Sequence, residues 1–494
     1  MSDVATWVKR AEALKPASQL FIDGKYVDAA SGATFDSISS RDGRLNAKIA
    51  AGDTEDINRA VAAAKRAFDS GIWCEMNPRD KKAVMLKWSQ LILENKEELA
   101  LLETLDTSKP IGDTLAVDVP GAARTIQWYG EALDKIYDEI APAPRTALAM
   151  ITREPLGVVG AVVPWNYPMI IASWKIAPAL AMGNSVVLKP AENSSMSALL
   201  LARLATEAGL PDGVFNVVTG LGAQAGQALA RHMDVSKLAF TGSGATGRKM
   251  LQYAAESNMK SVQLELGGKS PHVVLDDVAD LDACASAIAW GIYYNAGQTC
   301  NAGSRLIVQG GVKEELFARI GEFIKTFKVG DPLDSSTQMG PIVSKLQRDR
   351  VNSYLNLVGA EGEKFVFGGV GPSSDDCLLQ PTLIDGVKHN SRLSQEEIFG
   401  PVLVTLEAKS EAEALEMANG TEFGLAAAVW SGNIARAHKF ARNIRAGTVW
   451  INTFDMSDVI TPFGGFKQSG SGRDKSLHAL DNYSALKTTW VDLN

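Results

Sequence analysis

Cys300 is the residue of this sequence with the clearest capacity for chemistry. It follows Asn295-Ala-Gly-Gln-Thr, between an apolar run at 287–294 and a β-rich run at 305–308. Free cysteines are most often small buried hydrophobes, but a thiol in such a glycine-punctuated segment can also be held at a cleft as a nucleophile. Glu265, about 35 positions upstream, lies among apolar neighbours just before a glycine pair. Because an acylated nucleophile needs a base to activate water, the two residues together predict covalent catalysis.

A glycine pattern after a predicted strand points to a nucleotide. Gly242, Gly244 and Gly247 form G-x-G-x-x-G before a predicted helix, which is the context of the dinucleotide-binding turn. That fingerprint also has an acidic residue about 20 positions later, which binds the adenosine ribose. Glu265 is near that spacing, so a ribose role competes with its role as the base.

A lysine and a carboxylate after another predicted strand resolve this competition. Lys189 and Glu192 follow the apolar run at 185–188, and parallel sheets bind ligands beyond the carboxyl ends of their strands. Glu192 can accept both ribose hydroxyls and Lys189 can donate to one of them; the alternative is a solvated pair on a loop. With Glu192 assigned to ribose, Glu265 is free to act as the base.

The elements that must position these residues alternate between helices and strands. Apolar residues recur at helical spacing over 55–68, 79–105 and 195–207. Two series of short apolar runs predict parallel strands that are covered on both faces. They are 158–163, 185–188, 215–218 and 238–240, then 305–308, 402–406, 426–430 and 448–452. A protruding strand at 147–153 follows a turn-rich break at 142–146. We therefore expect an α/β protein with two sheet domains.

Length and composition limit the number of domains, the kinds of partner and the cellular location that we expect. At 494 residues the chain is too long for one core, so we expect two or three domains. A formal net charge of −8 without long basic blocks argues against nucleic acid as a partner. The N-terminus lacks the apolar core of a signal peptide, and no stretch reaches the roughly 18 apolar residues of a membrane span. The four cysteines lack CxxC spacing, so no disulfide framework or metal site is predicted, and we expect a cytoplasmic location.

Seven segments form an ordered set. They are Pro164-Trp-Asn-Tyr-Pro168, Lys189-Pro-Ala-Glu192, Phe240-Thr-Gly-Ser243, Glu265-Leu-Gly-Gly-Lys269, Gly297-Gln-Thr-Cys300, Glu396-Glu-Ile-Phe-Gly-Pro401 and Pro462-Phe-Gly-Gly465. Together they resemble the motif set of the NAD(P)-dependent aldehyde dehydrogenase superfamily over about residues 20–490. The resemblance implies a Rossmann-like parallel-sheet cofactor domain, a second α/β catalytic domain and a small β oligomerisation arm. The implied ranges are 1–132 and 156–267 for NAD binding, 268–468 for catalysis, and 133–155 with 480–494 for the arm.

The resemblance implies a catalytic role for each of three residues. Cys300 would attack the aldehyde carbon, and Glu265 would activate the water that hydrolyses the resulting thioester. Asn166 and the backbone N–H of Cys300 would stabilise the oxyanion, at ~3 kcal/mol for a typical donor. A Cys-His hydrolase is disfavoured because no histidine falls in a motif; the five are His232, His272, His389, His438 and His478.

The resemblance also implies NAD as the cofactor. The implied binding set is Trp165, Lys189, Glu192, Gly222, Gly226, Thr241, Gly242, Ser243, Gly247, Leu266, Gln347, Glu397 and Phe399. In this family Gly242 and Gly247 would contact the pyrophosphate. Gly244 would then have no role in cofactor binding. NADP is less favoured, because Glu192 would stand where its 2′-phosphate must sit.

Alignment to the family suggests residues of a substrate tunnel. They are Asp118, Trp128, Tyr167, Ile171, Trp174, Asp455, Met456 and Phe463. Aromatic faces and a carboxylate suit an aldehyde with a distant cationic or polar end; the alternative is that these aromatics pack the core. The segments 107–110, 118–124 and 468–478 resemble a bacterial polyamine-degrading branch that oxidises γ-glutamylaminobutyraldehyde and related ω-amino or guanidino aldehydes. Ser108 and Phe466 stand where the family usually has Gly and Tyr.

Three other functions stay open at this stage. They are a broad-specificity aliphatic or aromatic aldehyde dehydrogenase, a CoA-acylating relative and a non-catalytic family member. The second is disfavoured because that branch typically lacks the glutamate that Glu265 matches, and the third because Cys300, Glu265 and Asn166 are all present. The expected partners are a small-molecule aldehyde and further copies of the chain, as a dimer or tetramer, without nucleic acid or membrane.

Overall fold

The described part of the chain comprises residues 3–371 and 376–494 of a computed structural model. The predicted domain ranges 1–132 and 268–468 therefore each include a few residues outside it. The strands of the first half are β1 (Leu20–Ile22), β2 (Lys25–Val27), β3 (Thr34–Ile38), β4 (Leu45–Ala50), β5 (Glu139–Ala141), β6 (Ala147–Pro155), β7 (Val158–Val162), β8 (Ser185–Lys189), β9 (Phe215–Val217), β10 (Lys237–Thr241) and β11 (Ser261–Glu265). Those of the second half are β12 (Pro271–Val274), β13 (Arg305–Gln309), β14 (Lys364–Phe367), β15 (Thr382–Asp385), β16 (Val402–Ala408), β17 (Phe423–Gly424), β18 (Ala426–Trp430), β19 (Thr448–Ile451), β20 (Phe466–Lys467), β21 (Gly470–Ser471) and β22 (Ser484–Asp492).

Helices connect most of these strands. They are α1 (Asp3–Ala13), α2 (Thr54–Asp69), α3 (Pro78–Glu94), α4 (Lys96–Thr107), α5 (Ile111–Asp113), α6 (Val119–Ala132), α7 (Pro168–Ala181), α8 (Met196–Ala208), α9 (Gln227–Arg231), α10 (Gly244–Ala255), α11 (Leu281–Tyr293), α12 (Lys313–Lys325), α13 (Lys345–Leu355), α14 (Arg392–Gln395), α15 (Glu411–Asn419) and α16 (Ile434–Asn443). No helix among the described residues is long and apolar enough to cross a membrane.

The first sheet has the order β2-β1-β9-β8-β7-β10-β11-β21, with parallel pairing from β9 to β11. The chain runs outward from β7 to β9 on one side and from β10 to β11 on the other, so the strand order reverses between β7 and β10. In open α/β sheets, ligands bind beyond the carboxyl ends of the strands at this reversal. The segments after Val162 and Thr241 therefore border the expected ligand crevice.

The inner strands of this sheet are apolar because both faces are covered. Val158 and Val162 pack with α2 and α9 on one face, while Val159 and Ala161 belong to the larger cluster on the other face. Because neighbouring residues of a strand point to opposite faces, a continuous apolar run is what two covering helix layers require.

The second sheet has the order β14-β15-β16-β13-β12-β18-β19, parallel except for the edge strand β14. Here the order reverses between β12 and β18, and α11 leads from β12 towards the segment that carries Cys300 before β13 begins. The two sheets are thus linked by the short stretch between β11 and β12, which contains Gly267 and Gly268.

A third sheet stands apart from both cores. In the order β22-β6-β5, β22 pairs antiparallel with β6 over its whole length. Large apolar side chains on this sheet are exposed, including Ile140 at 72%, Leu486 at 64% and Trp490 at 60%. The strand predicted at 147–153 after the turn-rich break is β6 of this sheet.

The eight inner strands predicted from apolar runs are all present, with ends within two residues of the prediction. One helix prediction was wrong, because 79–105 is not continuous but divides into α3 and α4. The Asn95 side chain donates 2.8 Å to the carbonyl of Leu91 and its backbone φ of −100° ends α3. The domain boundaries stay predictions.

Candidate active site

The segment that carries Cys300 is held in an unusual conformation after α11. Asn295, Ala296 and Gly297 all have left-handed φ values, of 49°, 53° and 70°. A side chain at Gly297 would lie 2.0 Å from the carbonyl oxygen of Gly400, so only glycine fits there. Non-glycine residues in this region cost of order 1–3 kcal/mol each and persist only where the surroundings fix them.

Three amide side chains supply that fixation. Asn295 Nδ2 donates to the carbonyl of Asn166 at 3.0 Å, and Gln298 Nε2 donates to the carbonyl of Asn295 at 3.0 Å. Gln298 Oε1 in turn accepts from the N–H of Val343 at 3.0 Å. Asn166, just after β7, donates from Nδ2 to the carbonyl of Gln298 at 2.9 Å. The cysteine loop is therefore tied to the end of β7 in the first sheet.

Cys300 opens into a cleft of about 650 Å³ between the two sheets. Of the residues predicted for catalysis and for the cofactor, most line it together. The lining residues are Pro164, Trp165, Asn166, Ile171, Thr241, Gly242, Ser243, Glu265, Leu266, Gly267, Cys300, Gln347, Arg350, Glu397 and Phe399. Arg350 did not emerge from the sequence.

Asn166 has one amide hydrogen to spare. Its carboxamide carries two N–H donors, one of which goes to Gln298, and the side chain is 3% exposed. A second donor held at the cleft wall beside Cys300 is what an oxyanion on a substrate would need.

Glu265 ends β11 with a buried carboxyl group, and its Oε1 has no hydrogen-bond partner among the described residues. Burial raises its pKa well above the usual value, as does the charge of Asp474, while Lys175 and Arg473 oppose the rise. Lys175 and Asp474 form a fully buried ion pair of 2.6 Å, and Gln263 donates to the same carboxylate at 2.8 Å. Neither partner of this pair emerged from the sequence, although a lysine inside the apolar helix α7 was a visible signal.

The thiol of Cys300 also has a raised pKa. Burial is the largest cause, followed by the charges of Glu265, Glu397 and Asp455. The backbone N–H of Asn301 opposes this rise. A positive charge that enters the cleft would lower the pKa further and favour the thiolate.

One wall of the cleft is built around Glu397 and Phe399. The N–H of Gly268 donates to Glu397 Oε1 at 3.0 Å, and burial raises the pKa of this carboxyl group to about 6. Phe399 has a left-handed φ of 62°; Gln347 Nε2 donates to its carbonyl at 2.9 Å. Its ring meets that of Trp165 edge to face at 5.4 Å.

The opposite wall is the turn from β10 into α10. Ser243 caps α10 by accepting from the N–H of Thr246. A side chain at Gly247 would lie 2.8 Å from Leu266, and one at Gly242 would lie 2.6 Å from Phe240, so packing requires glycine at both. At Gly244 the nearest atom would be 3.7 Å away, which gives no reason for glycine.

The predicted ribose pair lies at the end of β8, outside the lining of this cleft. Lys189 is 2% exposed and its Nζ contacts Glu192 Oε2 at 3.2 Å, while the Glu192 side chain is 44% exposed. Gly222 and Gly226 bound a π-helical turn, Gly222–Gly226, and a side chain at either would meet no atom within 4 Å.

The residues predicted to bind the substrate lie in different surroundings. Asp118 is wholly buried and forms an ion pair of 2.6 Å with Lys109. The Tyr167 hydroxyl lies 2.9 Å from that of Thr299, beside the nucleophile, and Ile171 lines the cleft.

The other predicted substrate residues contact aromatic rings or neighbouring polar side chains, or are exposed. Trp174 and Phe463 are in ring contact at 5.3 Å, whereas Trp128 contacts Tyr129 at 4.9 Å. Asp455 is exposed and accepts from Asn301 at 2.7 Å, and Met456 is 72% exposed.

The residues present fit a dinucleotide. Thr241 Oγ1 lies buried at the cleft wall without a hydrogen-bond partner among the described residues. The N-terminus of α10 opens on the same cleft, where backbone N–H groups and the helix dipole attract phosphate. The open space at Gly222 and Gly226 leaves room for a group to approach the backbone.

Among the described residues, no cluster of His, Cys, Asp or Glu could hold a metal ion.

Comparisons with known proteins agree on one family. Residues 26–489 match the model of the aldehyde dehydrogenase family. The NADP/NAD-dependent aldehyde dehydrogenase PuuC of Escherichia coli (strain K12) is 48% identical over 490 residues, which cover 99% of each chain. The solved γ-glutamyl-γ-aminobutyraldehyde dehydrogenase of Burkholderia cenocepacia J2315 is 50% identical with a TM-score of 0.97, covering 99% of this chain and 100% of that one. The P. syringae indole-3-acetaldehyde dehydrogenase AldA, solved as a mutant with NAD+ and IAA, is 50% identical with a TM-score of 0.98, covering 99% of each chain. The predicted α/β fold and family resemblance are thus confirmed, and the chain belongs to the aldehyde dehydrogenase family.

Proposed function

We propose that the chain oxidises an aldehyde with a distant ω-amino, γ-glutamylamino or guanidino group to the carboxylic acid, with NAD as the cofactor. The observation that carries this proposal is one cleft lined by Cys300, Asn166, Glu265 and Glu397. The similarity to the Burkholderia cenocepacia enzyme, which is named for γ-glutamyl-γ-aminobutyraldehyde, supports a substrate with a polar group at the end distant from the aldehyde. The four cysteines, all unpaired, suit the reducing cytoplasm.

A second candidate substrate class is aromatic aldehydes. The P. syringae relative, named for indole-3-acetaldehyde, is as similar to this chain as the Burkholderia cenocepacia enzyme is. The ring pair of Trp174 and Phe463 supplies an apolar wall of the kind that an indole or phenyl group packs against. Because the two substrate classes differ in charge, activity on a panel of aldehydes distinguishes them.

In the proposed reaction, the Cys300 thiol loses its proton to solvent, the thiolate sulfur adds to the aldehyde carbon, and the carbonyl oxygen becomes an oxyanion. The free N–H of Asn166 and the backbone N–H of Cys300 donate to that oxygen. NAD held in this cleft would supply the acceptor for the hydride that leaves the substrate carbon. Glu265 then takes a proton from water as the water oxygen attacks the thioester carbon, and the acid leaves as the sulfur departs. Because the pKa of Glu265 is raised, it is a stronger base than an ordinary carboxylate once deprotonated.

The residues proposed to hold NAD divide between its two halves. Ser243 and the N-terminal turn of α10 face the cleft where a pyrophosphate would sit, and Lys189 and Glu192 would hold the adenosine ribose. Glu397, fixed by the N–H of Gly268, would accept from the nicotinamide ribose.

The central test of this function is an aldehyde panel with Cys300→Ala. We expect the wild type to reduce NAD with aldehydes and without CoA, and the variant to bind NAD but to lose turnover, because the thiol bonds the substrate. Cys74→Ala, which alters a thiol elsewhere in the chain, is the matched control. Residual turnover above about a thousandth of wild type would exclude Cys300 as the nucleophile, and a strict need for CoA would favour an acylating enzyme.

Glu265→Gln should release one burst of NADH and then stall, since acylation precedes the step that needs a base. In the wild type, the deacylation rate should rise with pH through the raised pKa of Glu265. Below that pKa the carboxyl is protonated and cannot accept a proton; above it the carboxylate is ionised. Stopped-flow absorbance of NADH across pH measures both effects. An unchanged steady state would return Glu265 to a structural role, and a loss mainly of NAD affinity would assign it to ribose.

Glu192 should make NAD the preferred cofactor. Two negative charges about 4 Å apart repel by roughly 4 kcal/mol at an effective dielectric near 20, and solvent around an exposed carboxylate cuts this to about 1–2 kcal/mol. We therefore expect at least about tenfold higher kcat/KM with NAD than with NADP, and a smaller ratio in Glu192→Thr. Glu207→Thr is the control for a lost surface carboxylate. A wild type that prefers NADP would contradict the role of Glu192.

The third sheet is the proposed oligomerisation arm, because it exposes apolar side chains that a monomer would leave in water. Replacing Leu486 and Trp490 together with Lys should reduce the assembly to a smaller species without unfolding the chain, as measured by light scattering. Ile434→Lys makes the same change at an exposed apolar side chain of α16. A wild type that is already monomeric, or a double variant of unchanged mass, would refute the arm.

A further inference from the structure

Lys475 is a buried lysine that the proposed chemistry does not use. It is 4% exposed, and its Nζ makes no hydrogen bond or ion pair with any described residue. Instead, Nζ lies 5.4 Å from the ring centroid of Trp174 and 5.5 Å from that of Phe463. Cation–π contacts offset only part of the cost of burying a charge. The charges of Asp455, Asp458 and Asp474 act on this ammonium group from a distance, but none of these carboxylates is bonded to it.

The position of Lys475 relative to the nucleophile follows from Asp455. The side chain of Asn301, the residue after Cys300, donates to Asp455 Oδ1 at 2.7 Å. The charge of Asp455 raises the pKa of Cys300, and Lys475 opposes the raised pKa of Asp455. Asp455 is therefore within electrostatic range of both the thiol and the lysine.

The rings of Trp174 and Phe463 form an aromatic wall between the cleft and Lys475. Ile171 lines the cleft, and Trp174 lies three residues later on α7, on the same face of the helix. Trp174 contacts Phe463, and both rings face Lys475 Nζ. A chain attached to an aldehyde at Cys300 could thus run along this wall and place its far end near Asp455 and Lys475.

We propose that Lys475 binds a carboxylate at the far end of the aldehyde substrate, while Asp455 faces an ammonium group of the same end. The proposal rests on the function proposed above and narrows it to aldehydes that carry an amino-acid-like, zwitterionic end. The ammonium group of a simple ω-ammonium aldehyde would be attracted by the carboxylate of Asp455 but repelled by the ammonium group of Lys475. A charge-assisted contact in this partly desolvated setting is stronger than one at the surface.

The test uses four aldehydes and three variants. The aldehydes are hexanal, 6-oxohexanoate, a trimethylammonium butanal and γ-glutamyl-γ-aminobutyraldehyde; the variants are Lys475→Met, Lys475→Arg and the exposed control Lys439→Met. We expect Lys475→Met to lose about tenfold or more in kcat/KM on the two carboxylate-bearing aldehydes, mainly through KM. Hexanal should change by less than about threefold, the trimethylammonium aldehyde should improve, and Lys475→Arg should retain most of the preference.

Each outcome decides a separate question. An equal loss on all four aldehydes would make Lys475 a structural residue and overturn the proposal, as would an unchanged Lys475→Met. A wild type that oxidises none of the four would refute the proposed function instead.

If Lys475→Met fails to fold, inhibition of the wild type supplies the same answer. Against hexanal, adipate should inhibit about tenfold more tightly than hexanoate, because only adipate brings a second carboxylate to Lys475. Equal inhibition would overturn the proposal.

Discussion

The hydrogen bonds of Asn166, Asn295 and Gln298 are the constraint on which the site depends. They hold a loop whose residues Asn295 and Ala296 stay in the left-handed region. That strain costs of order 1–3 kcal/mol per residue, and a net hydrogen bond returns about 0.5–1.5 kcal/mol. Several bonds acting together are therefore needed to offset it. Because Asn166 follows β7 of the first sheet and Gln298 precedes Cys300, the same bonds set the distance between the nucleophile and the cofactor cleft.

Around this loop the electrostatics favour protonated groups. Burial raises the pKa values of Cys300 and Glu265, and the charges of neighbouring carboxylates add to the effect on both. Lys175, which opposes the rise at Glu265, is itself paired with Asp474 at 2.6 Å. Both shifts disfavour the ionised forms, and a positive charge that enters the site would favour them.

The sequence predicted the sheets well because continuous apolar runs have few structural alternatives, as with Val158–Val162. The motifs identified Cys300, Glu265 and most of the other residues that line the cleft, because each motif is a short local segment. Contacts between distant residues could not be predicted. Lys175 and Asp474 are 299 positions apart, and no periodicity links them. The break at Asn95 was missed because helical spacing continues across it, and only the capping bond to Leu91 reveals the end of α3.

The ion pair of Asp118 with Lys109 bears on how charge is arranged at the substrate end of the site. Alignment suggested a carboxylate that would attract a cation, but Lys109, nine positions earlier, neutralises it in a fully buried pair. Releasing Asp118 for a ligand would leave a buried charge unpaired, which costs about 3–5 kcal/mol, more than an exposed contact with an ammonium group returns. Near Cys300, Asp455 and Lys475 carry opposite charges, and neither forms an ion pair with another described residue. Selectivity at this end therefore depends on how charge is arranged within the substrate, and a single cationic group does not match both side chains.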